Sequence, residues 1–376
     1  MIKYIAIKNF KAFKSLKLKP SNLNLCFGMN GMGKSSLLQS LLLLRQSFQK
    51  GLLDTKGLLL NDKDLISIGT GKDAYYQSAG RGEHIEFEIQ TQKGQRYQWA
   101  FQFDPTTDIL PIEHGGNLII NQISKFEGFS LFNNHCQYLS AEHYGPQKLY
   151  PKSELEVKQN KNIGIKGEYA VHYLSMFGNS EIIQLENLRH LKASSNNLLH
   201  QTAAWLGEIS PGTKLVIEDL KGVDSLRLGI QFETKTRFTN EFSPYNVGFG
   251  ILYVLPLIVS LLKAEPGSLL LIENPESHLH PTGQSAMGRL MALAAENGVQ
   301  IFCESHSDHI INGIRVAVKD NVLDHDKLAI YYFDRNPNDD EHRSRVTEIF
   351  IDKKGTLSEY PAGLLDEWSN LLLKLI

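Results

Sequence analysis

Residues 28–36 read GMNGMGKSS and sit between two segments of different character. Before them, residues 22–27 have the apolar run and flanking turn residues of a short strand. After them, Leu37, Leu38, Leu41, Leu42 and Leu44 recur at helical spacing. The stretch is therefore a glycine-rich loop joining a strand to a helix. Gly28, Gly33, Lys34 and Ser35 fit the spacing GxxxxGK[ST]. Glycines let successive backbone N–H groups turn inward around phosphates, the lysine reaches the terminal phosphate oxygens, and the hydroxyl ligates Mg²⁺. The helix N-terminus adds its own preference for anions. Gly28, Asn30, Gly31, Gly33, Lys34, Ser35 and Ser36 are thus the expected cradle for a nucleoside triphosphate such as ATP, with Ser35 as a Mg²⁺ ligand.

A second acidic element follows far along the chain. The apolar strand from Ser268 to Ile272 delivers Glu273 to its C-terminal end, within IENPESHLHP. P-loop enzymes place a metal-holding carboxylate at such a strand end, so Glu273 is the expected second Mg²⁺ ligand. A further strand, Val299 to Phe302, leads into ESHSDH, where His306 is positioned to sense a phosphate. Upstream, SPYNVGFG opens an apolar helix, and small residues such as Asn246 and Gly248 at a helix start can receive an anion.

The last third alternates helix and fully apolar strand, the pattern of a parallel sheet covered on both faces. Short strands are expected at 2–7 and 15–19, and HIEFEIQTQKGQRYQWAFQFD alternates as a hairpin around Lys93-Gly94. The stretch 186–209 reads as a helix interrupted near Ser194 and Ser195. The fold class is α/β: a mostly parallel sheet with an N-terminal antiparallel β lobe and an inserted α+β lobe. No heptad pattern is sustained, so no long coiled coil is expected. The expected division is a discontinuous core, 1–50 and 236–376, interrupted by an insert, 51–235.

Composition excludes several alternatives. The chain has 376 residues, 42% apolar and 21% charged, with 39 basic against 41 acidic side chains. A net charge of -2 gives no global field for a polyanion, and any DNA contact must be local. Lys3, Lys8, Lys11, Lys14, Lys17 and Lys19 are the candidates for it, although lysines also protect edge strands. The three cysteines share no metal-binding spacing. The longest apolar run is interrupted by Pro256 and too short to cross a bilayer, and the start lacks a signal-peptide core. A cytoplasmic protein with no membrane contact is expected.

In this order, NFKAF (9–13), GMNGMGKSS, YLSAEHYGP (138–146), NVGFGILYVLP (246–256), IENPESHLHP (272–281), ESHSDHIINGIR (304–315) and EYPAGLLDEW (359–368) resemble the ABC-type ATPase heads of the SMC, RecF and OLD group. They are most similar to compact AAA-family ATPases of prokaryotic anti-phage defence, such as the Septu ATPase subunit. The resemblance implies ATP and Mg²⁺ as cofactors, Lys34 and Ser35 on phosphate and metal, and Glu273 as the Walker B acid. It implies His306 as the switch histidine, and Asn246 and Gly248 in place of the ABC signature. Such heads form dimers around two ATP molecules, so a homodimer or higher oligomer is implied.

Departures from the family pattern shape the functional expectation. Relatives read ERxGPR where this chain has EHYGPQ, which removes two basic residues from that loop. Many read EEPE or DEPE where this chain has ENPE. Asn274 thus occupies the position of the water-orienting glutamate, and losing such a base commonly costs about 10²–10⁴ in rate. Glu276 is the expected substitute, with Glu273 serving both metal and water as the other option. About 60 residues follow the switch region, so no counterpart of the C-terminal nuclease of OLD proteins is expected, and the expectation is a separate effector, a nuclease or toxin. The expectation is a slow Mg-ATPase that dimerises around ATP and acts as a sensor or scaffold. A non-hydrolysing assembly module and a RecF-like DNA repair factor are the alternatives.

Overall fold

The computed structural model describes residues 1–80, 82–113, 126, 128–336, 338–361 and 363–375. They pack into two units, each with its own apolar core. The first comprises Met1–Asn133, Leu328–Phe350 and Leu357–Ile376; the second comprises Asn134–Lys327 and Ile351–Thr356. By packing, the stretch 51–235 is therefore shared between the two units.

In the first unit, an antiparallel sheet is ordered Phe13–Leu18, Ile2–Phe10, Ile85–Thr91, Arg96–Phe101. Alternation decides its faces. Ile5, Ile7, Leu16, Phe87, Ile89, Trp99 and Phe101 are buried, while Lys8, Lys17, Glu86 and Gln98 look outward. This is the antiparallel β lobe expected from the alternating pattern. The strand Leu23–Phe27 is buried along its whole length, and pairs in parallel with Leu328–Asp334. That strand in turn pairs antiparallel with Arg345–Ile349. The helix Lys34–Gln49 follows the first of these strands and buries Leu37, Leu38, Leu41, Leu42, Leu43 and Leu44. Arg45 on this helix donates to the carbonyls of Leu131, at 2.6 Å, and Asn133, at 3.0 Å.

The second unit is built on three parallel strands, with Leu269–Glu273 between Cys136–Leu139 and Gln300–Glu304. All but the terminal Glu273 are buried, as doubly covered strands must be. The helices Pro281–Glu296 and Asp308–Lys319 pack on one another. The apolar helix Phe249–Leu262 retains Pro256 in its interior. The expected interruption near Ser194 is real: a short turn at Glu186–Leu188 precedes a separate helix, Leu198–Leu206. Asn197 starts that helix by accepting the His200 N–H at 2.9 Å. An antiparallel sheet of Tyr150–Pro151, Ser225–Phe232 and Thr213–Asp219 completes the unit.

The fold class is the one expected from sequence: α/β, with mostly parallel pairing in the central strands and a separate antiparallel lobe. Among the described residues the longest helices have 16 residues, and none forms a long arm. No helix among them is long and apolar enough to cross a membrane.

Candidate functional site

The phosphate loop lies in the first unit, between the buried strand Leu23–Phe27 and the helix Lys34–Gln49. Two of its glycines are required by geometry. Gly28 has φ +136°, and a Cβ there would stand 2.1 Å from the Phe333 carbonyl oxygen. Gly33 has φ +96° at the helix N-cap, and a Cβ would meet Ser344 Oγ at 2.7 Å and Ala12 Cβ at 3.1 Å. The turn is therefore packed too tightly for a side chain at these two positions, and left-handed residues such as these are what anion nests use. Lys34 is buried, and its Nζ donates to the carbonyls of Gly28, at 2.7 Å, and Met29, at 2.8 Å. Arg335 Nη2 donates to the Gly31 carbonyl at 2.9 Å, adding a second cation that sequence reading had not attached to the loop. A turn with no room for a Cβ at Gly28 and Gly33, a lysine folded into it and a following helix N-terminus fit a triphosphate.

Three of the six N-terminal lysines have protein partners. Lys8 pairs with Glu86 at 3.1 Å, Lys14 pairs with Glu341 at 2.9 Å, and Lys11 donates to Gln39 at 2.7 Å. Ion pairs of this exposed kind contribute little stability, but they neutralise the charge that a polyanion would need.

The acidic elements lie in the second unit, at the C-terminal ends of its parallel strands. Glu273 accepts the Ala141 N–H at 3.2 Å and is hydrogen-bonded by the Tyr138 hydroxyl. Burial pushes its carboxyl above the usual range, opposed by those two bonds. Burial also raises the Tyr138 phenol, with Glu273 and Glu304 adding to the effect. The loop YLSAEHYGP thus grips Glu273, and its His143 has the task of packing. The ring is buried, stacks 5.5 Å from Tyr253 and bonds the Tyr253 carbonyl at 2.9 Å through Nδ1. Burial holds this imidazole below its ordinary range.

Asn274 has φ +47° and donates its N–H to the Glu304 carbonyl at 2.9 Å. A left-handed backbone costs most residues roughly 1–2 kcal/mol, and Asn is among the few that visit it routinely. The amide at this position therefore has a conformational reason, independent of any chemistry. Its side-chain oxygen is buried with no hydrogen-bond partner among the described residues.

Glu276, expected as a substitute base, is already engaged. One carboxylate oxygen accepts Ser305 Oγ at 2.8 Å and the other accepts the His306 N–H at 2.7 Å. Ser305 Oγ accepts the Ser307 N–H at 3.1 Å, and Ser307 Oγ bonds Gln284. Gln284 Nε2 reaches the Leu279 carbonyl at 2.8 Å, and the Leu279 N–H returns to the Glu276 carbonyl at 3.1 Å. This closed ring of hydrogen bonds surrounds the backbone of His306, whose side chain is exposed. Glu276 is thus a latch on the histidine loop. Asn246 and Gly248 lie exposed in the turn preceding the helix Phe249–Leu262.

Sequence reading missed Glu304. It ends the strand Gln300–Glu304 and stands in register with Glu273 on the neighbouring parallel strand. The signal was present, since both strands, LLLIE and QIFCE, finish on glutamate.

Two outcomes follow from this geometry. Gly28→Ala is expected to lower the melting temperature of the nucleotide-free protein by several degrees, because the new Cβ has no room; an unchanged transition would show that the turn relaxes freely. Glu276→Ala removes two bonds to a charged acceptor, each worth about 1.5–3 kcal/mol. Amide exchange at residues 305–307 is expected to rise at least roughly tenfold, and unchanged exchange would refute the latch.

A family model described as "AAA domain, putative AbiEii toxin, Type IV TA system" matches residues 23–312, and one described as "Protein of unknown function (DUF3696)" matches residues 323–375. No curated protein matches the chain significantly. Similar solved structures include an SMC head bound to the C-terminal winged-helix domain of ScpA, at 13% identity and TM-score 0.49, covering 94% of this chain and 99% of that one. The SMC head domain from Thermotoga maritima matches at 11% identity and TM-score 0.45, covering 93% and 99%. An SMC head with an extended coiled coil from Pyrococcus furiosus, bound to the C-terminal domain of ScpA, matches at 12% identity and TM-score 0.47, covering 100% and 99%. The phosphate loop and the acidic strand end both fall within residues 23–312, the greater part of the chain, and the protein belongs to this AAA-domain family.

Proposed function

We propose that the protein is a Mg-ATP-binding ATPase of the ABC type with slow turnover, acting as an ATP-dependent sensor or scaffold in anti-phage defence. The observation that carries the nucleotide part is the phosphate loop, in which Gly28 and Gly33 have no room for a Cβ and Lys34 is folded onto the loop itself. In this reading Lys34 binds the terminal phosphates, and the backbone of Gly28, Asn30, Gly31, Gly33 and Ser36 lines the cradle. Ser35 holds the metal. Bound Mg²⁺ would neutralise charge on the phosphate oxygens.

Slow hydrolysis is supported by Asn274, which supplies an amide where a base is needed, and by the engagement of both Glu276 oxygens. His306, fixed through its backbone by the latch, reports on the terminal phosphate. Dimerisation around ATP is supported by the exposed turn bearing Asn246 and Gly248, flanked by Tyr245 and Phe249, which are 60% and 47% exposed. A partner effector, a nuclease or toxin, is supported by the helix Glu367–Leu375, where Leu373 and Leu375 are 73% and 82% exposed. Large exposed apolar side chains grouped on one element mark interaction surfaces. The DNA-clamp alternative is disfavoured by the ion pairs of Lys8 and Lys14.

The test is nucleotide binding and phosphate release by purified protein. ATP is expected to bind in the presence of Mg²⁺ and to be hydrolysed below roughly 1 s⁻¹, near the low end for enzymes. Lys34→Ala is expected to weaken binding at least tenfold. Equal affinity of wild type and Lys34→Ala would refute the site, and turnover well above that rate would refute the slow ATPase.

A further inference from the structure

We propose that the second unit carries a binding site for a small organic anion, one carboxylate or phosphate group on an apolar body, with Lys161 and Lys263 holding the anion. This site is independent of the nucleotide reading.

The site is a cavity of about 520 Å³ formed wholly by residues of the second unit. Small-molecule pockets usually span about 300–1,000 Å³, and a single inorganic ion would fill a minor part of this one. The cavity lies against the start of the parallel strands Cys136–Leu139 and Leu269–Glu273, with His135, Cys136, Ser268 and Leu270 in its wall. It is therefore at the opposite end of these strands from Glu273. Tyr173 and Phe177, from the helix Ala170–Phe177, and Ser260 and Leu262, from the helix Phe249–Leu262, also line it.

Two ammonium groups share this space. Lys263 follows the helix Phe249–Leu262, donates from Nζ to the Lys161 carbonyl at 2.8 Å and lies 5.4 Å from the centre of the Tyr173 ring. Lys161 Nζ stands 3.6 Å from the centre of the Phe177 ring. Among the described residues neither lysine forms a salt bridge. The two acids of the cavity are engaged elsewhere. Glu181 accepts the Tyr173 hydroxyl at 3.0 Å, and Glu265 faces His135 Nδ1 at 3.8 Å. Burial is the main cause that pulls Lys263 down to about 8; Glu181 opposes it and Lys161 adds to it. A charge removed from water calls for a partner of opposite sign, and one anion between the two ammonium groups would serve both.

Two further features mark the cavity as built for an occupant. Ser260 is 1% exposed, and its Oγ has no hydrogen-bond partner among the described residues. Buried polar atoms are rarely left so. Lys161 is held at φ +52°, a left-handed conformation that few residues other than glycine adopt, and strain of this kind concentrates at ligand clamps. The rings of Tyr173 and Phe177, 5.0 Å apart, together with Leu262 and Leu270, supply an apolar half for the body of the ligand.

The probe is pyridoxal 5′-phosphate, an aromatic phosphate monoester whose aldehyde records where it sits. A neutral lysine amine adds to the aldehyde carbon, water leaves, and borohydride reduces the imine to a secondary amine that mass spectrometry assigns to one residue. At pH 7.5 an amine titrating at about 8 has roughly two hundred times the neutral fraction of an ordinary lysine. Lys263 is expected to label at least about tenfold faster than Lys192, whose side chain is 83% exposed. Excess phenyl phosphate or benzoate is expected to slow labelling of Lys263 at least about fivefold and to leave Lys192 unchanged; the more effective of the two tells a phosphate ligand from a carboxylate. Lys161→Met is expected to weaken that protection at least about threefold. Should this variant not fold, the wild-type arms decide. Capture of the probe by the phosphate loop is seen separately, at Lys34. Labelling of Lys263 no faster than that of Lys192 overturns the site, and so does fast labelling that neither competitor slows. Inorganic phosphate protecting as well as phenyl phosphate overturns the organic ligand, and full protection in folded Lys161→Met overturns the paired lysines.

Discussion

The constraint on which the nucleotide reading depends is the contact between Gly28 and the carbonyl of Phe333. At this point the chain leaves a fully buried strand, and no side chain fits. A glycine with φ of +136° is the only ordinary residue that turns there without strain. The shape of the proposed phosphate loop follows from that turn. It places Lys34 at the start of the helix with Nζ on the Gly28 carbonyl, and the Gly31 carbonyl accepts from Arg335. The parallel pairing of Leu23–Phe27 with Leu328–Asp334 keeps Phe333 in place and so holds the turn.

A comparable economy governs the acidic strand ends. Three parallel strands finish at nearly the same level, and each adds one polar group to a shared face: Tyr138, Glu273 and Glu304. The left-handed residue at 274 ends the central strand abruptly. The loop beyond it turns back through the Glu276 latch to fix the histidine loop. The departure from the familiar acidic pair is thus accommodated by backbone geometry. Asn suits the left-handed turn, and its N–H secures the neighbouring strand.

Much of this was legible in the sequence, and the reasons are local. The phosphate loop, the strand before it and the helix after it are specified by glycine positions and leucine spacing. The hairpin around Lys93-Gly94 and the apolar strands were readable from period and length. What escaped was set by pairing between distant segments. Register alone shows that Glu304 stands beside Glu273, because the strands are joined through a helix and their order is not written in spacing. The engagement of Glu276 by Ser305 and His306 depends on a loop nearly thirty residues away. The partition into packing units was likewise unreadable, since Asn133 and Asn134 lie inside a stretch that reads as one insert.

The account stands on the phosphate loop, and one structure tests it most directly: the protein crystallised with Mg²⁺ and a slowly hydrolysed ATP analogue. The account predicts a triphosphate seated on the amides of residues 31–36, with Lys34 Nζ transferred from the carbonyls of Gly28 and Met29 to the phosphate oxygens. A nucleotide bound elsewhere, with Lys34 still on those carbonyls, would contradict it.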